Sequence, residues 1–213
     1  MIFYNLRSNS RMYGLRNRVI LYNFKRSLTN LNKNLYIHSR YQTKNWRKNQ
    51  DWYNTGKGNE CELYQRNLIE KITNQKCDKT NLRINMEDYS LKSKKNPFSQ
   101  KNGFEWTEDF DDIQEKDNKI LHYNLKMVCD NGGSQTRTLR EVYHFIKCQL
   151  ENLLKYNKKN SNKYFINILD GDQSYKRKQN FDYLTNLKRY ESISDKVFVG
   201  DIKSFDKWYN KLF

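Results

Sequence analysis

The chain lacks several features that mark common classes of protein. No stretch reaches the roughly 18 consecutive apolar residues that indicate a membrane-spanning helix. The four cysteines include no C-x-x-C pair, which argues against a zinc ribbon or a thiol redox motif and makes reduced thiols the expectation. There is no G-x-x-x-x-G-K-[ST] loop and no G-x-S-x-G motif. The sequence therefore gives no support for an ATPase or a serine hydrolase.

Some residue types are also scarce or isolated. Alanine is absent and Pro97 is the only proline, whereas asparagine and lysine abound. This bias is typical of an AT-rich genome and accounts for part of the lysine excess. The three histidines, His38, His122 and His144, stand far apart in the sequence. Their spacing argues against a zinc pair or an HNH site.

Positive charge is abundant and unevenly distributed. The chain has 213 residues, with 40 Lys and Arg against 24 Asp and Glu, and a formal net charge of +16. Residues 1–50 contain eleven basic residues and no acidic residue. Such a surface favours a polyanion, because cations that neutralise phosphates release condensed counterions. The alternative is a basic surface that serves solubility alone.

The N-terminal segment combines cations with aromatic side chains. Tyrosines and Trp46 alternate with the basic residues, and such rings can stack on bases or anchor the segment to the rest of the protein. We therefore predict a basic arm over residues 1–57 and a folded domain over residues 58–213. An acid-free, arginine-rich start also fits an organellar transit peptide. The candidate nucleic-acid-binding residues of the arm are Arg7, Arg11, Arg16, Arg18, Arg47 and Lys48.

Hydrophobic spacing after residue 57 predicts an α/β domain. Helical spacing indicates a helix over 58–76, and a period of two indicates a strand over 104–113. A turn over 114–118 and a strand over 120–129 complete a hairpin. Ser134 or Thr136 is expected to cap a long helix that extends to Tyr156. A buried strand over 164–170, a helix over 180–190, a strand over 196–201 and a helix ending at Phe213 follow.

Acidic residues on the first hairpin strand face a lysine on the second. The stretch EWTEDFD supplies Asp109 or Asp111, and the triplet Asn124, Leu125 and Lys126 lies on the partner strand. With the order of elements, this resembles the core of the PD-(D/E)XK nucleases, which include many type II restriction endonucleases. The resemblance implies a restriction-endonuclease-like α/β core and a Mg²⁺ ion held by carboxylates beside the scissile phosphate. It also implies that Lys126 orients or deprotonates the attacking water.

The triplet departs from the family pattern at its first position. Asn124 stands where those nucleases place an acid, and an amide oxygen attracts Mg²⁺ less strongly than a carboxylate does. Glu62, on the helix before the hairpin, is the carboxylate that could compensate. The candidate metal ligands are therefore Asp111, Asp109 and Glu62, and the candidate catalytic set adds Lys126 and Asn124. The alternatives are a solvated strand face, an edge lysine and an ordinary helical ion pair.

A second candidate segment is GGSQTRTLREVYHFI, residues 132–146. Glycines before a helix leave backbone N–H groups accessible to a phosphate, and Gln135, Arg137 and Arg140 would add donors there. The alternative is a glycine hinge followed by a core helix with exposed arginines.

Together these features predict a Mg²⁺-dependent endonuclease of the restriction type. Its partner would be double-stranded DNA, and the resemblance implies a homodimer in a bacterial or viral cytoplasm. The rival prediction is a non-catalytic RNA-binding protein, such as an organellar ribosomal subunit in a mitochondrion, with a degenerate nuclease-like core. An arm that binds lipid is disfavoured because no strongly amphipathic pattern is present.

Overall fold

A computed structural model describes residues 37–53, 58–93, 106–157 and 161–213. Arg7, Arg11, Arg16 and Arg18 lie outside these ranges. The helices are α1 (Lys44–Lys48), α2 (Glu60–Thr73), α3 (Gly133–Asn152), α4 (Asp172–Lys176), α5 (Lys178–Thr185) and α6 (Ile202–Leu212). The strands are β1 (Asp78–Lys79), β2 (Leu82–Asn85), β3 (Leu91–Ser93), β4 (Thr107–Asp109), β5 (Asp112–Lys116), β6 (Lys119–Met127), β7 (Lys163–Asp170) and β8 (Val197–Gly200).

A mixed five-stranded sheet forms the centre of the fold. Its strand order is β1-β5-β6-β7-β8. The β1–β5 and β5–β6 pairs are antiparallel, whereas β6–β7 and β7–β8 are parallel. Strands β3, β2 and β4 form a separate antiparallel sheet. The predicted α/β class is confirmed.

Helices cover both faces of the large sheet. Helices α2 and α6 contact each other and lie on one face, where Tyr123 of β6 meets Phe205 of α6. Helix α3 lies on the other face, where Phe145 packs against Phe110. Phe110 in turn stacks with Phe165 of β7 at a centroid distance of 5.4 Å. Alternate residues of each strand therefore enter different halves of the core.

The β5–β6 hairpin has a tighter turn than the sequence predicts. Asp117 and Asn118 both adopt positive φ angles, 47° and 61°, which a two-residue hairpin turn needs and which Asp and Asn tolerate well. The predicted hairpin turn is present, but its predicted span of 114–118 is too long because residues 114–116 belong to β5. Gln114 is buried and accepts a 2.7 Å hydrogen bond from the Tyr123 hydroxyl.

The predicted strand over 104–113 divides between the two sheets. Its described part contains β4, which pairs with β2, and the start of β5, which pairs with β6. Phe110 lies between the two strands and is buried. The alternation of apolar and polar residues continues through this junction, so the pattern alone does not reveal the change of sheet.

Helix α3 begins without the predicted side-chain cap. Gly132 occupies the cap position, and Ser134 and Thr136 both lie inside the first turns of the helix. The α-helix ends at Asn152 and continues as a π-helical turn over Leu153–Asn157, close to the predicted end.

The compact unit begins at His38 rather than at position 58, where charge and composition place the boundary. Gln42 is fully buried, and its backbone oxygen accepts hydrogen bonds from the Asp172 amide and the Cys129 thiol. Its side-chain oxygen accepts a hydrogen bond from the Gly171 amide at 3.1 Å. Trp52 stacks on Tyr64 of α2 at 4.5 Å. These contacts attach the segment after His38 to the folded unit.

Within the described ranges, no helix has the length and apolar character needed to cross a membrane. The four cysteines, Cys61, Cys77, Cys129 and Cys148, are free thiols.

Candidate active site

The site is built where the hairpin strands meet at one edge of the large sheet. Asp111 immediately precedes β5, and Lys126 lies near the end of β6. The Asp111 amide donates to the Tyr123 carbonyl at 2.8 Å, and Asp111 Oδ2 accepts a 2.7 Å hydrogen bond from the Leu125 amide. These two bonds fix both the backbone and the carboxylate of Asp111.

The Lys126 ammonium lies beside this carboxylate. Its Nζ atom is 3.7 Å from Asp111 Oδ2, and the two side chains are 25% and 17% exposed. Both contacts to the Asp111 carboxylate from the described residues use Oδ2. Oδ1 therefore remains available to a cation or a water molecule. The structure brings Asp111 and Lys126 to one partly shielded position, as the sequence predicts.

Glu62 approaches the same position from α2. Burial raises the pKa of its carboxyl group, the Asp111 charge raises it further, and the Lys126 charge lowers it. Glu62 thus lies within electrostatic reach of both residues. The Glu62 side chain forms no hydrogen bond or ion pair with the described residues, so its carboxylate is available to a ligand.

Two neighbouring contacts hold α2 against the strands that carry the site. Gln65 Nε2 donates to the Lys126 carbonyl at 3.2 Å and to Asp170 Oδ2 at 2.8 Å. One residue further along α2, Arg66 forms a 2.8 Å ion pair with Asp112, whose side chain is fully buried. A buried pair with good geometry fixes relative position more than it adds stability. Together these contacts place Glu62 relative to Asp111 and Lys126.

Asp109 does not join the site. It ends β4 in the smaller sheet, where it forms a 3.0 Å ion pair with Arg83 of β2. From the sequence alone Asp109 and Asp111 are equivalent choices, because both fall on the same predicted strand face. The change of sheet at Phe110 separates them, and only Asp111 reaches Lys126.

Asn124 is also directed away from the site. It is 1% exposed, and its Nδ2 atom donates to Asn167 Oδ1 of β7 at 3.1 Å. Gln149 of α3 exchanges hydrogen bonds with the same Asn167 side chain. Asn124 thus belongs to a buried amide cluster beneath α3. Its predicted role beside the metal has no support in this geometry.

Glu108 is a nearby carboxylate that the sequence did not single out. Burial raises the pKa of its carboxyl group, the Lys126 charge lowers it, and Asp109, Glu141 and Asp111 raise it. The period of two places Glu108 on the same predicted strand face as Phe110, a face that otherwise carries aromatic residues. A lone carboxylate on an apolar strand face was the signal that could have identified it.

The predicted phosphate-binding residues lie at the start of α3. Arg137 and Arg140 are exposed, and their guanidinium groups form no ion pair or hydrogen bond with the described residues. Gln135 accepts a 2.8 Å hydrogen bond from the Ser134 hydroxyl. Two of the candidate nucleic-acid-binding residues of the arm are described: Arg47 packs over the Tyr53 ring at 4.7 Å, whereas Lys48 is exposed.

The donor set at the site is small. In the part of the chain that the structure describes, no group of three or more His, Cys, Asp or Glu side chains is arranged to hold a metal ion. Asp111 and Glu62 offer two carboxylates, which suits Mg²⁺ because this ion commonly takes one or two protein carboxylates and fills its other positions with water and phosphate. No protein-family model, curated protein or solved structure matches the chain.

Proposed function

We propose that the protein is a metal-dependent endonuclease that hydrolyses DNA phosphodiester bonds. The observation that carries this proposal is the 3.7 Å approach of Lys126 Nζ to Asp111 Oδ2 across an antiparallel hairpin, with Glu62 in electrostatic reach. A carboxylate pair beside an ammonium group meets the needs of phosphodiester hydrolysis, which requires a cation site and a group that handles the proton of the attacking water.

The proposed roles follow from the surroundings of each residue. Asp111 and Glu62 would hold Mg²⁺, because Asp111 Oδ1 and the Glu62 carboxylate have no partner among the described residues. When bound, Mg²⁺ supplies Lewis-acid stabilisation of charge on the scissile phosphate. Lys126 orients the attacking water and takes part in its proton transfer. The Leu125 amide keeps Asp111 in place while this occurs.

The remaining surface fits a nucleic-acid substrate. Arg137 and Arg140 follow the strand that carries Lys126, and their exposed guanidinium groups can contact phosphates flanking the cleaved bond. The net charge of +16 favours the same partner. A restriction-endonuclease-like core, sequence-specific cleavage and a homodimer remain parts of this proposal.

Cleavage of a supercoiled plasmid in the presence of Mg²⁺ tests the proposal. We expect Lys126→Ala and Asp111→Asn to reduce the cleavage rate at least about 100-fold, since each removes a group that acts on the reacting atoms. Lys203→Ala is the matched control, because Lys203 is an exposed α6 lysine without an ion pair to the described residues. Equal cleavage by Lys126→Ala and Lys203→Ala would contradict the proposal.

A second candidate function is favoured by the position of Asn124. Asn124 stands where the nuclease pattern has an acid, and its amide is held in the buried cluster and not at the site. A nuclease-like core that has lost catalysis would then serve as a non-catalytic RNA-binding protein. A wild-type protein that leaves plasmid intact across Mg²⁺ and Mn²⁺ concentrations, yet binds RNA, would favour this function.

A further inference from the structure

A groove between α3 and α5 shares Arg140 with the proposed substrate-binding surface, but Asp111, Lys126 and Glu62 do not line it. Its wider part has a volume of about 420 Å³, and the side chains of Leu139 and Phe181 in its lining are buried. A second cavity of about 380 Å³ shares Thr136, Leu139, Arg140 and Arg177 with the first. The two cavities therefore form one groove that extends to residues 130–133, between β6 and the first residue of α3.

The groove carries unopposed positive charge. Arg140 of α3 and Arg177, between α4 and α5, are exposed, and neither guanidinium group forms an ion pair or hydrogen bond with the described residues. Among the described residues, no carboxylate lines the wider cavity. Asp130 lines the second cavity, but its carboxylate lies 3.2 Å from Lys44 Nζ. Two free arginines facing a common groove complement an anion such as a phosphate.

Aromatic side chains accompany these cations. Tyr183 lines the wider cavity and is 68% exposed, although large aromatic side chains are usually more deeply buried. Its ring makes no ring contact with the other described aromatic residues. Tyr143 lines the cavity from α3 and lies 6.2 Å from the Phe181 ring. An exposed ring beside two arginines is the combination that binds unpaired bases together with their phosphates.

We propose that this groove binds an unpaired segment of nucleic acid. Arg140 and Arg177 contact its phosphates, and Tyr183 stacks on a base. A cavity of about 420 Å³ accommodates a nucleotide. A paired base inside a duplex does not present its face for stacking, so the groove selects single strands. The proposal goes beyond the proposed hydrolysis, because it requires neither a metal ion nor cleavage.

Fluorescence anisotropy with a labelled oligothymidylate in EDTA tests this binding in the full-length protein without catalysis. We expect Tyr183→Ala to weaken binding roughly fivefold or more, because one base–aromatic stack is lost. Tyr183→Phe keeps an aromatic ring at this position and should bind as tightly as the wild type. Combined Arg140→Ala and Arg177→Ala substitution should weaken binding and flatten its salt dependence. Lys207→Ala on α6 is the control for the loss of an exposed positive charge elsewhere. Thermal unfolding of each variant verifies that it is folded.

Competition between the labelled oligothymidylate and unlabelled nucleic acids tests whether the groove prefers single strands. Displacement by unlabelled single strands but weaker displacement by a duplex of equal length supports the proposal, and a comparison of RNA with DNA strands identifies the sugar. Equal affinities of wild type, Tyr183→Ala and the double arginine variant would overturn it. An equal loss with Lys207→Ala would overturn it as well, since binding would then depend on charge alone.

Discussion

His122 is a buried histidine without a hydrogen-bond partner among the described residues. It is 4% exposed and packs against Phe110 and Phe165, with its ring centroid 5.4 and 5.8 Å from theirs. Burial lowers the pKa of its imidazole to about 4, and the Lys163 charge acts in the same direction. The folded protein therefore keeps His122 neutral at pH values where the unfolded chain protonates it.

This arrangement predicts acid sensitivity that one substitution relieves. Because the folded pKa lies below the unfolded value, the stability contributed by neutral His122 is complete above about pH 6.5 and is lost as the pH falls through about 4. His122→Phe should remove this loss, which amounts to at most about 1.4 kcal/mol per pH unit. Urea unfolding at pH 7 and pH 4.5 measures the free energy of unfolding of wild type and variant, and so the loss of stability in acid. If the free energies of unfolding of wild type and His122→Phe differed by the same amount at both pH values, His122 would not be the source of the acid sensitivity.

Asp170 presents the opposite dependence on pH. It ends β7 fully buried, and burial raises the pKa of its carboxyl group to about 7, although hydrogen bonds from Gln65 and the Ile202 amide lower it. The nearby Asp201 charge raises it further. The folded state therefore favours a protonated Asp170 at mildly acidic pH.

The consequence is a stability that decreases as the pH rises. Since the folded pKa exceeds the unfolded value near 3.8, the contribution of protonated Asp170 is complete below pH 3.8 and is lost as the pH rises through about 7. Asp170→Asn should give a flatter stability profile between pH 4 and 8. Measurements in the His122→Phe background separate this effect from the histidine, which titrates in the same range with the opposite sign. If the stability of the proteins with Asp and with Asn at position 170 depended on pH in the same way, Asp170 would not be the group that titrates.

At the scale of elements, the junction of β7 and α4 depends on Gly171. Its φ angle is +98°, and a Cβ atom there would meet the backbone of Val128, with the carbonyl carbon at 2.6 Å. Backbone atoms such as those of Val128, just after β6, cannot move aside as a flexible side chain can. The glycine therefore allows α4 to pack against the loop that follows the Lys126 strand.

We expect Gly171→Ala to destabilise the fold by roughly 2 to 4 kcal/mol, since it combines a strained conformation with overpacking. Gly133→Ala is the matched control, because a Cβ at Gly133 has nothing within 4 Å. Thermal unfolding by circular dichroism compares the two variants. If Gly171→Ala unfolded at a temperature no lower than Gly133→Ala does, the backbone around Val128 would have moved to accommodate the added Cβ atom.

The sequence predicted those elements whose pattern is local. Helix α2, the hairpin strands and the buried strand β7 follow from hydrophobic spacing, and antiparallel pairing then brings Asp111 towards Lys126. Asn124 and Lys126 share one face of β6, so alternation assigns both to the site. Only the pairing of Asn124 with Asn167, and the position of Gln149 above them, directs Asn124 into the core. Those are long-range contacts that local periodicity does not contain.

At the scale of the whole molecule, charge distribution sets the expected binding behaviour. Residues 1–50 hold eleven cations and no acid, whereas the rest of the chain is closer to balance. Electrostatic binding of duplex DNA weakens with salt in proportion to the number of neutralised phosphates. The basic segment should therefore control the salt dependence more than the affinity for a particular base sequence.

Replacing Arg7, Arg11, Arg16 and Arg18 by Gln tests this expectation. If all four contact phosphates, the slope of log K against log salt concentration should become shallower by roughly three to four, at about 0.9 per contact. Fluorescence anisotropy measures the affinity for duplex DNA at salt concentrations from about 50 to about 300 mM, a range over which the slope can be determined. An unchanged slope would show that these arginines do not face the duplex.

The burial of Gln42 has a practical consequence for how the protein can be shortened. Trimming the chain at position 57, where the charge pattern changes, would remove the acceptors of the Gly171 and Asp172 amides and of the Cys129 thiol. It would also uncover the face of Tyr64 on which Trp52 stacks. Recombinant fragments that start at 58 should therefore precipitate, whereas those that start just before His38 should stay in solution.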